Sequence, residues 1–473
     1  MGRVLRLACG LMGVVVLLTT AGMAWARRDD SAWMLLRSRG LILVDPNTGL
    51  QIPLTRSYSS ALWFHAYSDK TGWLYYVGVD YVPSATGMGG LYRVRLDGEN
   101  ESELIIADPN IIHVELSHDG RWIVYIVKEM VSKQEWHYTL FRARADGRDI
   151  LQLTDTLANG APFDSMGASP YFSLDDEWVI FTGHYAGQSE AVVFRIHLDG
   201  TKLEEVITGA STNTGYLEAR NFSWIFLNRG GSIYSYDVNR EPPLVLMDQW
   251  IGGQRLLQYV GWLPRSKVAM FSSSEVGVGG LKILGLRPDG AQVWAVDGGY
   301  LYGVNADESW IFIGGIHGIE RMRPDGSQRE SLVDGSLGVL NAMFARDEWV
   351  LFEVSNASSP GTTIYRMHLD GTHFGTVADS PPDGNVRLFN WHSDYDFVIC
   401  ATISTSGPGI FLHRMNLDGS HSKILTEGLY EPYFETWLPP IDRGWTPSHL
   451  AIIGAGLIGI TIIRPKKWWD KTH

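Results

Sequence analysis

The sequence predicts an all-β fold, a β-propeller of about eight four-stranded blades, with seven as the alternative. Three observations predict it: a hairpin unit ending in Asp-Gly recurs along the chain, an aromatic half-unit alternates with it, and the composition suits short strands joined by tight turns. Of 473 residues, 52 are Gly and 18 are Trp, and aromatic residues make up 12%. Charged residues are only 19%, too few for a disordered chain.

The first half-unit reads Leu91-Tyr92-Arg93-Val94-Arg95-Leu96-Asp97-Gly98. It returns before Asp146-Gly147, Asp199-Gly200, Asp289-Gly290, Asp325-Gly326, Asp370-Gly371 and Asp418-Gly419. Asp45-Pro46-Asn47-Thr48-Gly49 is an early copy and Asp237-Val238-Asn239 a degenerate one. Counting back from each Asp, apolar residues fall mostly at odd positions, which is strand periodicity. Gly supplies the positive φ that such a turn can require. The second half-unit runs through Ser117-His118-Asp119-Gly120 into Trp122-Ile123-Val124-Tyr125. Copies place Trp73, Trp178, Trp310, Trp349 and Phe397 after similar turns. Eight repeats fit between Leu62 and Leu425. Strands at Leu41–Val44 and Gln51–Leu54, and one at Pro432–Trp437, are left over to complete a blade. These alternating turns and Leu-Tyr-Arg-x-x-x-Asp-Gly hairpins resemble the TolB-like (WD40-like) propeller repeat. Ile364-Tyr365-Arg366-Met367-His368-Leu369-Asp370-Gly371 is also similar to low-density-lipoprotein-receptor-type propeller repeats. The resemblance implies the fold for residues 41–438 and assigns no activity.

Both ends of the chain concern a membrane. Arg3 and Arg6, an uncharged run from Leu7 and Ala24-Trp25-Ala26 read as a signal peptide over 1–26, followed by a linker over 27–40. After a stalk at 439–444, residues 445–463 carry no Asp, Glu, Lys or Arg and predict a transmembrane helix. Arg464, Lys466, Lys467 and Lys471 make 464–473 a basic cytoplasmic tail. The expected location is the cell membrane, single-pass, with the propeller outside the cytoplasm. Gly454-Ala455-Gly456-Leu457-Ile458-Gly459 has the spacing of a dinucleotide fingerprint but lacks the helix, strand and acidic residue that must follow. Ala451, Ala455 and Gly459 instead form a small-residue stripe suited to contact between membrane helices.

Charge narrows the partners. Of the formal −13, residues 1–30 contribute +2 and residues 442–473 contribute +3, so the body between them carries −18. Such a body repels phosphate backbones, and no nucleic-acid partner is expected. The two cysteines, Cys9 and Cys400, are too few for a disulfide framework. No zinc, phosphate-loop or nucleophile-elbow motif occurs, so no catalytic residue and no cofactor is assigned. Polar groups on innermost strands remain as axial candidates: His65, His113, Glu115 and His392. Arg93, Arg142, Arg195, Arg321, Arg366 and Arg414 each stand four residues before a turn Asp. They read as stems covering the sheet with heads paired to carboxylates, or as a basic ring for an anionic polymer. The leading expectation is a non-enzymatic scaffold that binds a protein or glycan. The alternative is a carbohydrate-active lyase or hydrolase with an axial metal site.

Overall fold

Runs of Val, Ile, Leu and aromatic residues, broken by Asp-Gly and Ser-x-Asp turns, give thirty-six strands among the described residues. Among the described residues the one helical segment is the 3-10 turn Gly335–Leu337. The structure, a computed structural model, describes residues 32–438 apart from 39, 56–61, 80–88, 97–101, 133–134, 155–162, 167–169, 186–190, 211–223, 230–231, 238–244, 249–254, 276–280, 298, 306, 316–317, 347, 356–360, 383, 392–395, 405–409 and 430–432. The signal segment, the membrane segment and the Ala451, Ala455, Gly459 stripe lie outside the described residues. Among the described residues no helix is long and apolar enough to cross a membrane.

The strands form nine antiparallel blades, each written here from the innermost strand outward. Blade 1 is Tyr433–Leu438, Trp33–Arg37, Leu41–Val44 and Gln51–Pro53. Blade 2 is Leu62–Ser68, Trp73–Val79, Gly89–Arg95 and Glu103–Ile106. Blade 3 is Ile111–Leu116, Trp122–Ser132, Glu135–Arg144 and Leu151–Gln152. Blade 4 is Tyr171–Phe172, Trp178–Tyr185, Ala191–His197 and Glu204–Ala210. Blade 5 has three described strands, Trp224–Arg229, Ser232–Asp237 and Val245–Asp248. Blade 6 is Arg255–Leu263, Val268–Glu275, Leu281–Leu286 and Gln292–Asp297. Blade 7 is Tyr300–Val304, Ile311–Gly315, Gly318–Met322 and Glu330–Asp334. Blade 8 is Val339–Arg346, Trp349–Ser355, Thr362–His368 and Gly375–Asp379. Blade 9 is Gly384–Asn390, Phe397–Ser404, Ile410–Asn416 and Lys423–Leu429. An additional strand, Phe163–Ser165, pairs with both blade 3 and blade 4 and joins them into one sheet.

The ring closes because each blade buries one face against the next. Nine apolar clusters link blades 1 to 2, 2 to 3 and onward to 9 and back to 1. At the seam, Met34, Leu36 and Val44 of blade 1 pack on Phe397, Ile399, Leu412 and Leu425 of blade 9. Blades 2 to 9 are the eight repeats counted in the sequence, and the leftover strands build a ninth blade rather than finishing one of the eight. A strand at Trp33–Arg37 lies inside the expected linker 27–40. It carries no repeat signature, but it pairs with Leu41–Val44 on one side and Tyr433–Leu438 on the other, so its apolar side chains are buried.

The hairpin turns explain the repeat chemistry. Gly147 has φ 84°. A Cβ placed there would lie 2.3 Å from the Ile105 carbonyl oxygen, on the outermost strand of the preceding blade. Gly290 and Gly419 meet Leu246 O and Val377 O in the same way, at 2.7 and 2.6 Å. The Gly therefore serves both the turn and the blade contact. Gly147→Ala is expected to cost about 2 kcal/mol, from left-handed backbone strain plus displacement of the neighbouring strand, read as a lower denaturant midpoint.

The turn Asp is fixed as well. The hydroxyls of Ser309, Ser327, Thr372 and Ser420, followed by the backbone N–H groups of the same residues, hold Asp307, Asp325, Asp370 and Asp418 below their ordinary pKa of 3.8. A carboxylate depressed on folding adds stability above its unfolded pKa and loses it as pH falls through the folded value. The ring is thus expected to hold its stability down to about pH 4 and lose it progressively below, measured by denaturant melts across pH.

Candidate functional site

The innermost strands line the axis, and the sequence candidates sort onto them as follows. His65 is on the innermost strand of blade 2, and His113 and Glu115 are on that of blade 3. His392 lies outside the described residues, just past the innermost strand of blade 9. Burial holds the His113 imidazole below its ordinary pKa of 6.5, favouring the neutral ring. Among the described residues no three His, Cys, Asp or Glu side chains stand together to hold a metal ion.

Seven innermost strands share a device that the periodicity does not reveal. Each slips register once against its neighbour, leaving His65, Ile112, Val260, Tyr302, Asn341, Phe389 or Glu435 as the extra residue. A bulge increases local twist and re-aims a side chain. The re-aimed Tyr302 hydroxyl donates to Leu340 O of the next blade at 2.9 Å. The Asn341 amide donates to Glu353 at 3.2 Å and to Ser355 Oγ at 2.6 Å.

Glu353 is the functional-looking residue that sequence reasoning missed. Its side chain is 1% exposed. Arg387 Nε lies 2.6 Å from Glu353 Oε1, and Leu388 N–H donates to Oε2 at 2.8 Å, both from the innermost strand of blade 9. The Arg387 side chain is 49% exposed and faces the solvent side of this pair. The signal was present as a single Glu inside the apolar run Trp349-Val350-Leu351-Phe352-Glu353-Val354. Cys400 packs at the same blade junction, where burial first and the Glu353 carboxylate second push its thiol up to about 12. A thiol so held stays protonated and is no nucleophile at neutral pH.

The Arg row resolves into a second constellation at the turn ends of the blades. Arg93, Arg142, Arg195, Arg321 and Arg366 lie over Trp73, Trp122, Trp178, Trp310 and Trp349, and Arg414 lies over Phe397, at 3.8–5.0 Å. Directly across the register, Glu103, Glu204 and Glu330 pair with Arg93, Arg195 and Arg321. Arg93 and Arg321 also donate to Ala145 O and Leu369 O in the following blade, and Arg414 donates to Asn47 Oδ1 across the seam. Stems on aromatic rings and heads on carboxylates or carbonyls describe this row in most blades. Among the described residues, most heads of this row are thus already paired.

No protein family matches the chain, and no curated protein sequence matches it. Solved structures do match. A eukaryotic initiation factor aligns over 87% of this chain and 99% of its own, at 10% identity and TM-score 0.54. A prolyl endopeptidase aligns over 80% of this chain at 12% identity and TM-score 0.43, and the chain spans about half, 51%, of that protein's length. TolB from Acinetobacter baumannii aligns over 56% of this chain and 62% of its own, at 14% identity and TM-score 0.33. At such identities the likeness is one of fold alone.

Proposed function

We propose that the chain is a membrane-anchored, extracytoplasmic propeller that binds a protein or glycan and performs no chemistry of its own. The observation that carries this reading is where the described chain leaves the ring. Trp33 and Leu438 are register partners in blade 1, at the place that a hairpin turn such as Ser68 to Trp73 takes in the other blades. Both ends of the described strands of blade 1, Trp33 and Leu438, therefore lie together at the face that carries the turns. If residues 445–463 span the bilayer, the stalk 439–444 reaches about 20 Å at most, so the turn face lies toward the membrane. The opposite face, from which the connections between second and third strands leave, then points outward to a partner. Loops on a rigid scaffold are the usual place for recognition.

Purification of the full-length chain from solubilised membranes tests the reading. A partner retained at fixed stoichiometry supports it. A protein found in the soluble fraction overturns it, and one that carries a bound metal and cleaves a carbohydrate polymer overturns it in favour of the lyase or hydrolase alternative.

A further inference from the structure

The internal repeat provides its own control for one side chain. In blades 2, 4 and 7 the Nε and Nη2 edge of the row Arg holds a Glu carboxylate from the outermost strand. The contacts are 2.8 Å for Arg93 with Glu103 and 2.6 Å for Arg195 with Glu204, and Arg321 pairs likewise with Glu330. These carboxylates are 43–50% exposed, so the spot they occupy opens to solvent. Blade 3 places Leu151 at that register position, and blade 9 places Lys423. Blade 8 places Gly375 across from Arg366.

The consequence in blade 8 is physical. Arg366 Nε is buried and meets no acceptor among the described residues. Asp418, a carboxylate in the turn of blade 9 that feels its charge, is already held by the Ser420 hydroxyl and N–H. Apart from Gly375 itself and its two chain neighbours, a Cβ placed there would meet only Arg366 Nε, 3.8 Å away, within 4 Å. The guanidinium is held in place over Trp349, 5.0 Å from the ring centroid. A buried guanidinium N–H without an acceptor is costly, more so because the group is charged, and an arriving carboxylate removes that cost. Beside it Phe374 is 46% exposed and stacks on Tyr365 at 5.2 Å, an apolar shoulder for a ligand's stem.

We propose that Arg366, with Trp349 beneath it and Phe374 beside it, is a carboxylate-binding site for an acidic side chain of an extended protein segment. A polypeptide source is favoured because the sister blades fill this spot with a Glu side chain carried on a strand. The outermost strand Gly375–Asp379 also ends its sheet, leaving an edge along which a partner strand can lie. The site stands on the repeat and not on the membrane tether, so the two readings fail separately.

The test uses the full-length chain labelled with 15N-arginine, with N-acetyl-glutamate amide as the probe and chloride at equal ionic strength as the control. The Arg366 Nε–H signal is expected to shift on titration, with a dissociation constant on the order of 10 mM. Gly375→Glu is expected to move the signal without ligand, toward the signals of Arg93, Arg195 and Arg321, and to abolish the response to the probe. Arg366→Lys loses the planar fork, and binding measured by calorimetry should weaken at least tenfold. A wild-type signal that the probe leaves unmoved overturns the proposal, as does a Gly375→Glu signal that does not move. Galacturonate shifting the signal at lower concentration than the glutamate probe overturns the protein source in favour of a sugar acid.

Discussion

Removing residues 433–438 is expected to abolish the cooperative unfolding of the whole ring. Tyr433–Leu438 is the innermost strand of blade 1 and the only described strand to pair with the axial edge of Trp33–Arg37. Without it, the buried backbone groups of Met34, Leu35 and Leu36 lose their partners on that side, and blade 1 keeps only three short strands. The seam with blade 9 depends on Met34 and Leu36 among them. Natural domains are stable by roughly 5–15 kcal/mol, and losing one strand of a closing blade removes most of that. Denaturant melts followed by Trp fluorescence should change from one sharp transition to a broad one, with a smaller m-value from a ring already partly open. A truncated chain that melts as sharply as the full one would show that blade 1 does not close the ring.

Replacing Arg387 with Met is expected to destabilise the ring by about 2 kcal/mol. That is less than the roughly 3–5 kcal/mol of a wholly buried pair, because Arg387 is half exposed. Among the described residues, the variant leaves the buried Glu353 carboxylate with Leu388 N–H and the Asn341 amide. Replacing Arg387 with Met and Glu353 with Gln together should recover part of the loss, since the uncompensated charge is then gone. Equilibrium melts of the two single variants and the double variant give the coupling directly. A single Arg387→Met variant as stable as the parent would mean that Glu353 is satisfied without the guanidinium.

The contrast between what the sequence announces and what it conceals has a physical basis. The eight hairpin repeats are legible because turn chemistry is local and needs no distant partner. In the Asp370-Gly371-Thr372 turn, Asp370 takes the Thr372 N–H and hydroxyl within the same few residues. The ninth blade is legible only in part: three of its strands read as leftovers, but they come from the two ends of the described chain, and the strand Trp33–Arg37 that joins them has no turn motif of its own. The Arg row is legible as a column, yet whether a given Arg is paired depends on the register with the next strand, where Glu103, Leu151, Gly375 and Lys423 look unrelated in sequence. Glu353 is visible as an anomaly in an apolar strand, but its partner Arg387 sits in a different blade. The axial histidines show the reverse: the sequence places His65 and His113 on innermost strands, while their relation across the ring is a matter of tertiary geometry.

Hydrogen exchange at the seam tests the central claim, a ring of nine blades closed by the pairing of its first and last described strands. The backbone amides of Leu35 and Leu36 are expected to exchange only through global unfolding, as slowly as those of Val350 and Phe352 in the middle of blade 8. Exchange at those two positions as fast as in a frayed terminal strand would contradict closure, because an open stack leaves Trp33–Arg37 at an edge.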